Sequence, residues 1–366
     1  MTGVQTCALP ISSGLSYPLT LELFIYELMH RGVNREKVTG SINFDPIGYL
    51  LLHGKYYQTW QQNLEEGAYL LETVANKLPA YRAITINAAF FQNAGSTLVQ
   101  ELAFGLASAC EYLTGFTSKG FTVDQVAPYM QLSFATGPNY FMEIAKLRAA
   151  RWLWTRLTEQ YSPAVAESSR VFLHAATARW NKSVYDPYVN MLRTTTEGMS
   201  AILGNADSVT IESFNSASGI PGPFSMRIAR NQQLVLKEEA YLDKVTDPAA
   251  GSYYIETLTH TLATHAWDLF KKVESMGGLL QCIDSGFIRG EIAVSRKKKE
   301  DDIARRRLII LGTNQYPNPH ESFPTESLPV TSHTVEEGVS PHLPPFRAAA
   351  SFEAVRLATE KFVEAG

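Results

Sequence analysis

The stretch AITINAAFFQNAGSTLVQELAFGLASACEYL, residues 83–113, decides how the fold is read. AITINAAFF (83–91) is a short run rich in Ile, Thr and Phe, the composition of a strand. Beyond Gly95, Leu98, Leu102, Leu106, Cys110 and Leu113 recur at three- and four-residue spacing, which makes one stripe of a helix. Cys110 lies in that stripe and reads as a small core residue. A strand that runs straight into an amphipathic helix is one βα unit.

The same unit recurs on both sides. VTGSINF (38–44), MQLSFATG (130–137), VFLHAATA (171–178) and SVTIES (208–213) read as strands, each followed by helical sequence. The helices fall near 139–154, 186–202 and 227–242. Strand starts at 38, 83, 130, 171 and 208 recur at intervals of about 40 residues, one βα unit each. No Gly-rich phosphate fingerprint follows any strand, which disfavours a dinucleotide fold. The rhythm predicts an α/β protein of the (β/α)8 TIM-barrel type. Five units are present where a barrel needs eight. The first legible element is a helix, YPLTLELFIYELMHR (17–31), with Pro18 in its first turn and Gly32 just past its end.

Composition narrows the function. Of 366 residues, 45% are hydrophobic and 19% charged, with a net charge of -4. That balance offers no reason for a nucleic-acid or anionic-membrane partner, and no run reaches the length of a membrane span. Cys7, Cys110 and Cys282 are too few and scattered for a disulfide framework or zinc site, which predicts a reducing, cytoplasmic setting. The basic run SRKKKEDDIARRR (295–307) is read as a solvated helix face. Lys297 and Asp301, Lys298 and Asp302, and Asp302 and Arg306 are each four apart.

In a TIM barrel the chemistry sits at the carboxyl ends of the strands. Those positions offer Asn43 and Asp45, Phe90 and Gln92, Pro138 and Asn139, His174 and Thr177, and Glu212 and Asn215. Only Asp45, His174 and Glu212 titrate, and no two ionisable groups share a motif, as acid/base work would need. His174 is the best lone candidate for a general acid, but is better read as a hydrogen-bonded structural histidine. Glu212 could serve as a base, but is better read as a salt-bridged strand-end carboxylate. His260 and His265 stand five apart on a helix and do not share a metal-binding face. Phe90 and Phe91 read as core packing.

Four stretches resemble the methylmalonyl-CoA mutases: 92–113, SFATGPNYFMEIAKLRAARWLW (133–154), DPYVNMLRTTTEGMSAILGNADSV (186–209) and RIARNQQLVLKEEAYLDKVTDPAAGSYYIETLT (227–259). The similarity is dense from about residue 17 to residue 318. The resemblance implies a TIM barrel with acyl-CoA along its axis and a separate C-terminal domain that holds adenosylcobalamin through D-x-H-x-x-G. This sequence contains no D-x-H-x-x-G.

The strand-end motifs depart from the catalytic pattern. Catalytic chains read G-Y-H-M-Q-E-A-G where this one reads A-A-F-F-Q-N-A-G (88–95), which puts Phe90 at the substrate-facing histidine. They read T-G-T-I-Q-N-D where this one reads T-G-S-I-N-F-D (39–45), which puts Asn43 at a substrate-binding glutamine. They read H-C-Q-T-S-G where this one reads H-A-A-T-A-R (174–179). Ala176 then replaces a second glutamine, and Arg179 a space-making glycine. Phe90 can neither donate a hydrogen bond nor carry a proton. No catalytic set is intact.

The resemblance therefore implies the small subunit of a heterodimeric mutase. Its partner would be the catalytic large subunit, which would bind both the acyl-CoA and the adenosylcobalamin. The alternatives are a divergent catalytic acyl-CoA mutase, of the isobutyryl-CoA or ethylmalonyl-CoA type, and a remnant scaffold without a partner.

MTGVQTCALPIS (1–12) reverse-translates to a common sequencing-library adapter and is read as adapter-derived, so that Cys7 carries no biology. Residues 13–315 are then a partial mutase barrel with its following helices. Residues 316–348 are a Pro-rich linker, since seven of the eighteen prolines fall between Tyr316 and Arg347. Residues 349–366 begin a truncated cobalamin-binding-like domain. Units are expected to be missing at both ends. The five strands would leave an open half-barrel, with both sheet edges and an apolar interior exposed, and the chain as written is expected to be insoluble or molten.

Overall fold

The computed structural model describes residues 16–219, 221–324 and 342–365. The adapter-like opening and residues 325–341 of the Pro-rich segment lie outside the described residues.

Helix α1 (Tyr17–His30) precedes β1 (Gly40–Phe44), α2 (Pro46–His53) and α3 (Trp60–Lys77). Strand β2 (Tyr81–Asn87) leads through α4 (Ala89–Asn93) into α5 (Leu98–Ser118) and α6 (Val123–Val126). Then come β3 (Met130–Thr136), α7 (Tyr140–Thr158), β4 (Phe172–Thr177), α8 (Val189–Leu203) and β5 (Ser208–Thr210). Helices α9 (Pro223–Leu234), α10 (Tyr253–Ser275), α11 (Gly278–Asp284), α12 (Phe287–Ala304) and α13 (Ala350–Ala365) complete the order.

Local chemistry accounts for the boundaries. Pro18 and a left-handed Gly32 (φ 64°) bracket α1, whose Leu21 and Ile25 are buried. Thr59 and Thr97 begin α3 and α5 with reciprocal capping boxes to Gln62 and Gln100. Asp45 caps α2 by accepting from Gly48 N at 2.9 Å.

The strands form one parallel sheet in the order β1-β2-β3-β4-β5. Each crossover returns the chain to the next position along the sheet, and the sheet curls into a half-barrel. All five expected strands are present. All are shorter than expected, β2 and β5 most clearly at their carboxyl ends. β2 stops at Asn87, so Phe90 and Phe91 belong to α4. β5 stops at Thr210.

The main core lies on the helix side of the sheet, where Phe44, Phe104, Tyr112, Phe116, Phe134 and Trp154 are fully buried. α10 packs on α5 and α7 as an outer layer. Gly105 lets α5 lie close to the sheet, because a Cβ there would come within 2.8 Å of Ala88 Cβ.

The opposite face of the sheet corrects one expectation. It carries Ser41, Asn43, Thr85, Gln131, His174 and Ser208, joined by hydrogen bonds, and is not an apolar interior. The charged run at 295–307 corrects another. α12 ends at Ala304 and Arg306 turns left-handed (φ 56°), so Asp302 meets Arg307 at 3.4 Å instead of Arg306. Lys297–Asp301 pairs at 3.2 Å as expected. Lys299, in contrast, turns inward over the Trp180 ring and donates to Ser96 O at 2.6 Å.

Candidate functional site

On the inner face Gln131 is the hub. Its Nε2 lies 2.9 Å from Ser41 Oγ, 3.1 Å from Asn43 Oδ1 and 2.9 Å from Thr85 Oγ1. Thr85 also donates to Asn43 Oδ1 at 3.0 Å, and Ser41 is hydrogen-bonded to the same oxygen. Asn43 adopts φ 57° at the point where the β1–β2 register shifts. This left-handed bulge, which asparagine tolerates, turns its amide into the belt. Its acceptor oxygen is therefore already engaged by neighbouring strands.

Further along the sheet, His174 Nδ1 lies 2.7 Å from Ser208 Oγ. Burial lowers its pKa to about 4, so the ring is neutral at pH 7. A structural histidine is what the sequence favoured here. Ala176 lies on the same face of β4, in register with Ala135 and Thr210, and presents only a methyl group.

Asp45 is fully engaged at the end of β1. It accepts from Gly48 N, from Tyr112 OH at 2.7 Å, and from Asn87 N and Nδ2 at 3.1 and 2.8 Å. Burial pushes its pKa up, against these four donors. Phe90 leans from α4 over the start of α2, with its ring edge 2.9 Å from where a Cβ on Gly48 would lie. Asn43 and Phe90 thus come from adjacent strand ends, while Ala176 lies two strands further along. Glu212 pairs with Arg179 at 2.6 Å, the salt-bridged reading. His260 and His265 are exposed on α10, and His260 stacks on Trp152.

A strap then crosses these strand ends. Leu343 N donates to Leu51 O at 2.9 Å, Phe346 N to Asn93 O at 2.9 Å, and Ala348 N to Trp180 O at 2.7 Å. Phe346 stacks on Trp180 with 6.2 Å between centroids, and both pack with Ala135, Ala178, Ile303 and Ile310. Val184 N donates to Glu353 Oε1 at 2.7 Å and so ties α13 to the same rim.

Sequence reasoning did not find the charge cluster behind β3. Lys146 Nζ lies 2.8 Å from Glu101 Oε2 and 2.6 Å from Glu143 Oε2, and it also donates to Ala135 O. Gln92 Nε2 bridges the two carboxylates at 3.1 and 3.0 Å. Burial alone would lower the pKa of Lys146, but the two carboxylates outweigh it and raise it. Burial raises Glu101, yet everything that touches it is a donor, so it stands as a carboxylate opposite Lys146. The i,i+3 pair Glu143–Lys146 was the available signal, but its spacing also suits a solvated helix face. A second buried pair, Lys182–Glu197 at 2.7 Å, was missed for a different reason, since its partners lie on separate segments and no local spacing signals it.

The profile described as methylmalonyl-CoA mutase matches residues 5–365. The chain belongs to the methylmalonyl-CoA mutase family. It is 41% identical to the methylmalonyl-CoA mutase small subunit of Porphyromonas gingivalis, over 90% of this chain and 53% of that protein. It is 34% identical to the large subunit of Propionibacterium freudenreichii subsp. shermanii, over 93% and 47%. It is 32% identical to the Escherichia coli mutase, over 82% and 42%. The chain thus spans about half the length of the curated relatives it matches.

This is an isomerase family that depends on adenosylcobalamin. The described strand ends do not fit a cobalt ligand. The His174 ring is held by Ser208, while Phe90, Phe346 and Trp180 fill the rim. Among the described residues no three His, Cys, Asp or Glu gather as a metal site, and no helix is long and apolar enough to cross a membrane.

Proposed function

We propose that this chain is the non-catalytic small subunit of a heterodimeric methylmalonyl-CoA mutase. It supports a large subunit that binds adenosylcobalamin and acyl-CoA and interconverts (R)-methylmalonyl-CoA and succinyl-CoA. Its five βα units are part of an eight-stranded TIM barrel, and the linker at 316–348 leads to a cobalamin-binding-like domain beginning at 349–366. The setting is cytoplasmic.

The observation that carries this reading is the strand-end chemistry. Where the family pattern has polar, substrate-orienting side chains, this chain has Phe90, Ala176 and an Asn43 whose oxygen is already taken. Phe90 and Ala176 offer no polar group and the Asn43 oxygen is engaged, so these three positions do not orient a thioester as the family pattern does.

Co-expression of the full-length chain with a large subunit tests the proposal. A stable pair is expected, with activity unchanged by Phe90→Ala in the small chain. Absence of a complex overturns it. The sequence similarity to chains named simply as mutases keeps a second reading, a divergent catalytic acyl-CoA mutase. Titration of the isolated full-length chain with adenosylcobalamin separates the two, since a saturable spectral change would favour catalysis by this chain.

A further inference from the structure

Helix α13 docks with its charged side. Glu353, Arg356 and Glu360 are three and four residues apart, which puts them on one face of the helix. That face is turned inward, with side chains 6%, 22% and 24% exposed. Val355 and Phe362, by contrast, are 69% and 80% exposed. A surface helix usually buries its apolar stripe, and this one does the reverse. Among the described residues, α13 makes no extended packing with another helix or strand.

The three charges fasten three separate stretches. Glu353 accepts from Val184 N at 2.7 Å, beyond β4, and pairs with Arg347 of the strap. Arg356 donates to Asn318 O at 2.7 Å and to Glu321 O, and its guanidinium lies 4.0 Å from the Tyr185 ring centroid. Glu360 accepts from Phe323 N at 3.0 Å and pairs with Arg356 at 3.4 Å. Residues 318–323 and 342–349 are therefore held by one helix, although residues 325–341 lie between them in the chain. The apolar attachments are few. Phe346, Ala348 and Phe352 join the small cluster around Trp180, and among the described residues of these stretches only Leu343 reaches the main core.

We propose that residues 318–323 and 342–365 form one latch, which opens and closes over the strand ends without unfolding the sheet. Segments that open separately are those with few buried apolar contacts, and this one is held chiefly by charged hydrogen bonds. Water can replace such bonds, but it cannot replace the apolar contacts of the core behind the sheet. Opening bares Trp180 and the backbone oxygens of Leu51 and Asn93, which the closed strap covers. The latch goes beyond the reading of 316–348 as a linker, and it does not depend on whether this chain is catalytic.

Hydrogen exchange of the full-length protein, read by mass spectrometry, tests the latch. Peptides spanning 318–323 and 342–353 are expected to share one protection factor, lower than that of β2–β4. Arg356→Ala should speed exchange in both latch peptides together by about tenfold or more, since it removes two hydrogen bonds from a charged donor. The β2–β4 peptides should not change. In the unsubstituted protein, added salt should also speed the latch peptides alone, because the Arg356–Glu360 pair is only partly buried. That measurement stands even where the variant does not fold. Acceleration confined to 318–323 overturns the proposal, as does equal acceleration of the sheet. Latch peptides as protected as β2–β4 and indifferent to salt also overturn it.

Discussion

The two faces of the sheet bury polar groups in opposite ways. On the inner face Ser41, Asn43, Thr85 and Gln131 share neutral hydrogen bonds, and His174 is kept uncharged beside Ser208. Several of these residues are only half-buried. On the helix side Glu101, Glu143 and Lys146 are full charges, sealed at 0–1% exposure. A neutral belt tolerates partial contact with water, because each lost bond can be replaced by solvent. A sealed ionic cluster has no such substitute, and its members hold only while all are present. The inner face is therefore forgiving and the helix side is not.

The largest test of that contrast is Lys146→Met. It leaves two carboxylates buried without a countercharge and is expected to cost about 3–5 kcal/mol in urea unfolding. Adding Glu101→Gln should recover part of that loss. A single substitution costing no more than an average surface change would break the comparison.

The next is pH. The folded pKa of His174 is lowered to about 4 from an ordinary 6.5. Its stabilising contribution is full above pH 6.5 and is lost as pH falls toward 4. His174→Asn should flatten the pH dependence over that window, by on the order of 1–3 kcal/mol between its ends. Glu101 shifts the other way. Its raised pKa makes folding harder as the group ionises, so its contribution declines as pH rises above the ordinary carboxylate range. Glu101→Gln should remove that opposing slope. Unchanged profiles in both variants would remove the electrostatic half of the contrast.

Gln131→Ala deletes the hub of the neutral belt. Because water reaches Asn43 and Ser41, the expected cost is only about 1–2 kcal/mol. A loss as large as that of Lys146→Met would mean that the belt is as unforgiving as the cluster. Smallest of all, Lys297→Ala removes an exposed α12 pair, and the melting curve should move by no more than about 0.5 kcal/mol.

Local pattern fixed much of the architecture. Ile and Phe runs set the five strands, the stripe of Leu102, Leu106 and Leu113 set α5, and Pro18 and Gly32 set the ends of α1. Comparison with the family's motifs singled out Asn43, Phe90 and Ala176, each in a stretch that departs from the catalytic pattern at three or more positions. Strand ends were less legible. AAFF reads equally well as strand or as the first turn of a helix, and the structure places Phe90 in α4, whose start no side-chain cap announces.

What tertiary structure alone decided was which polar residues lose water. Lys146, three residues after Glu143, and Lys297, four before Asp301, are indistinguishable by spacing. One is sealed behind β3 and the other lies in solvent. Likewise Leu343, Phe346 and Ala348 sit in a segment whose composition reads as an unstructured linker, yet they strap the strand ends. Sequence periodicity reports which face of an element is apolar. It cannot report what packs against that face from hundreds of residues away, and that packing sets the dielectric around every charge.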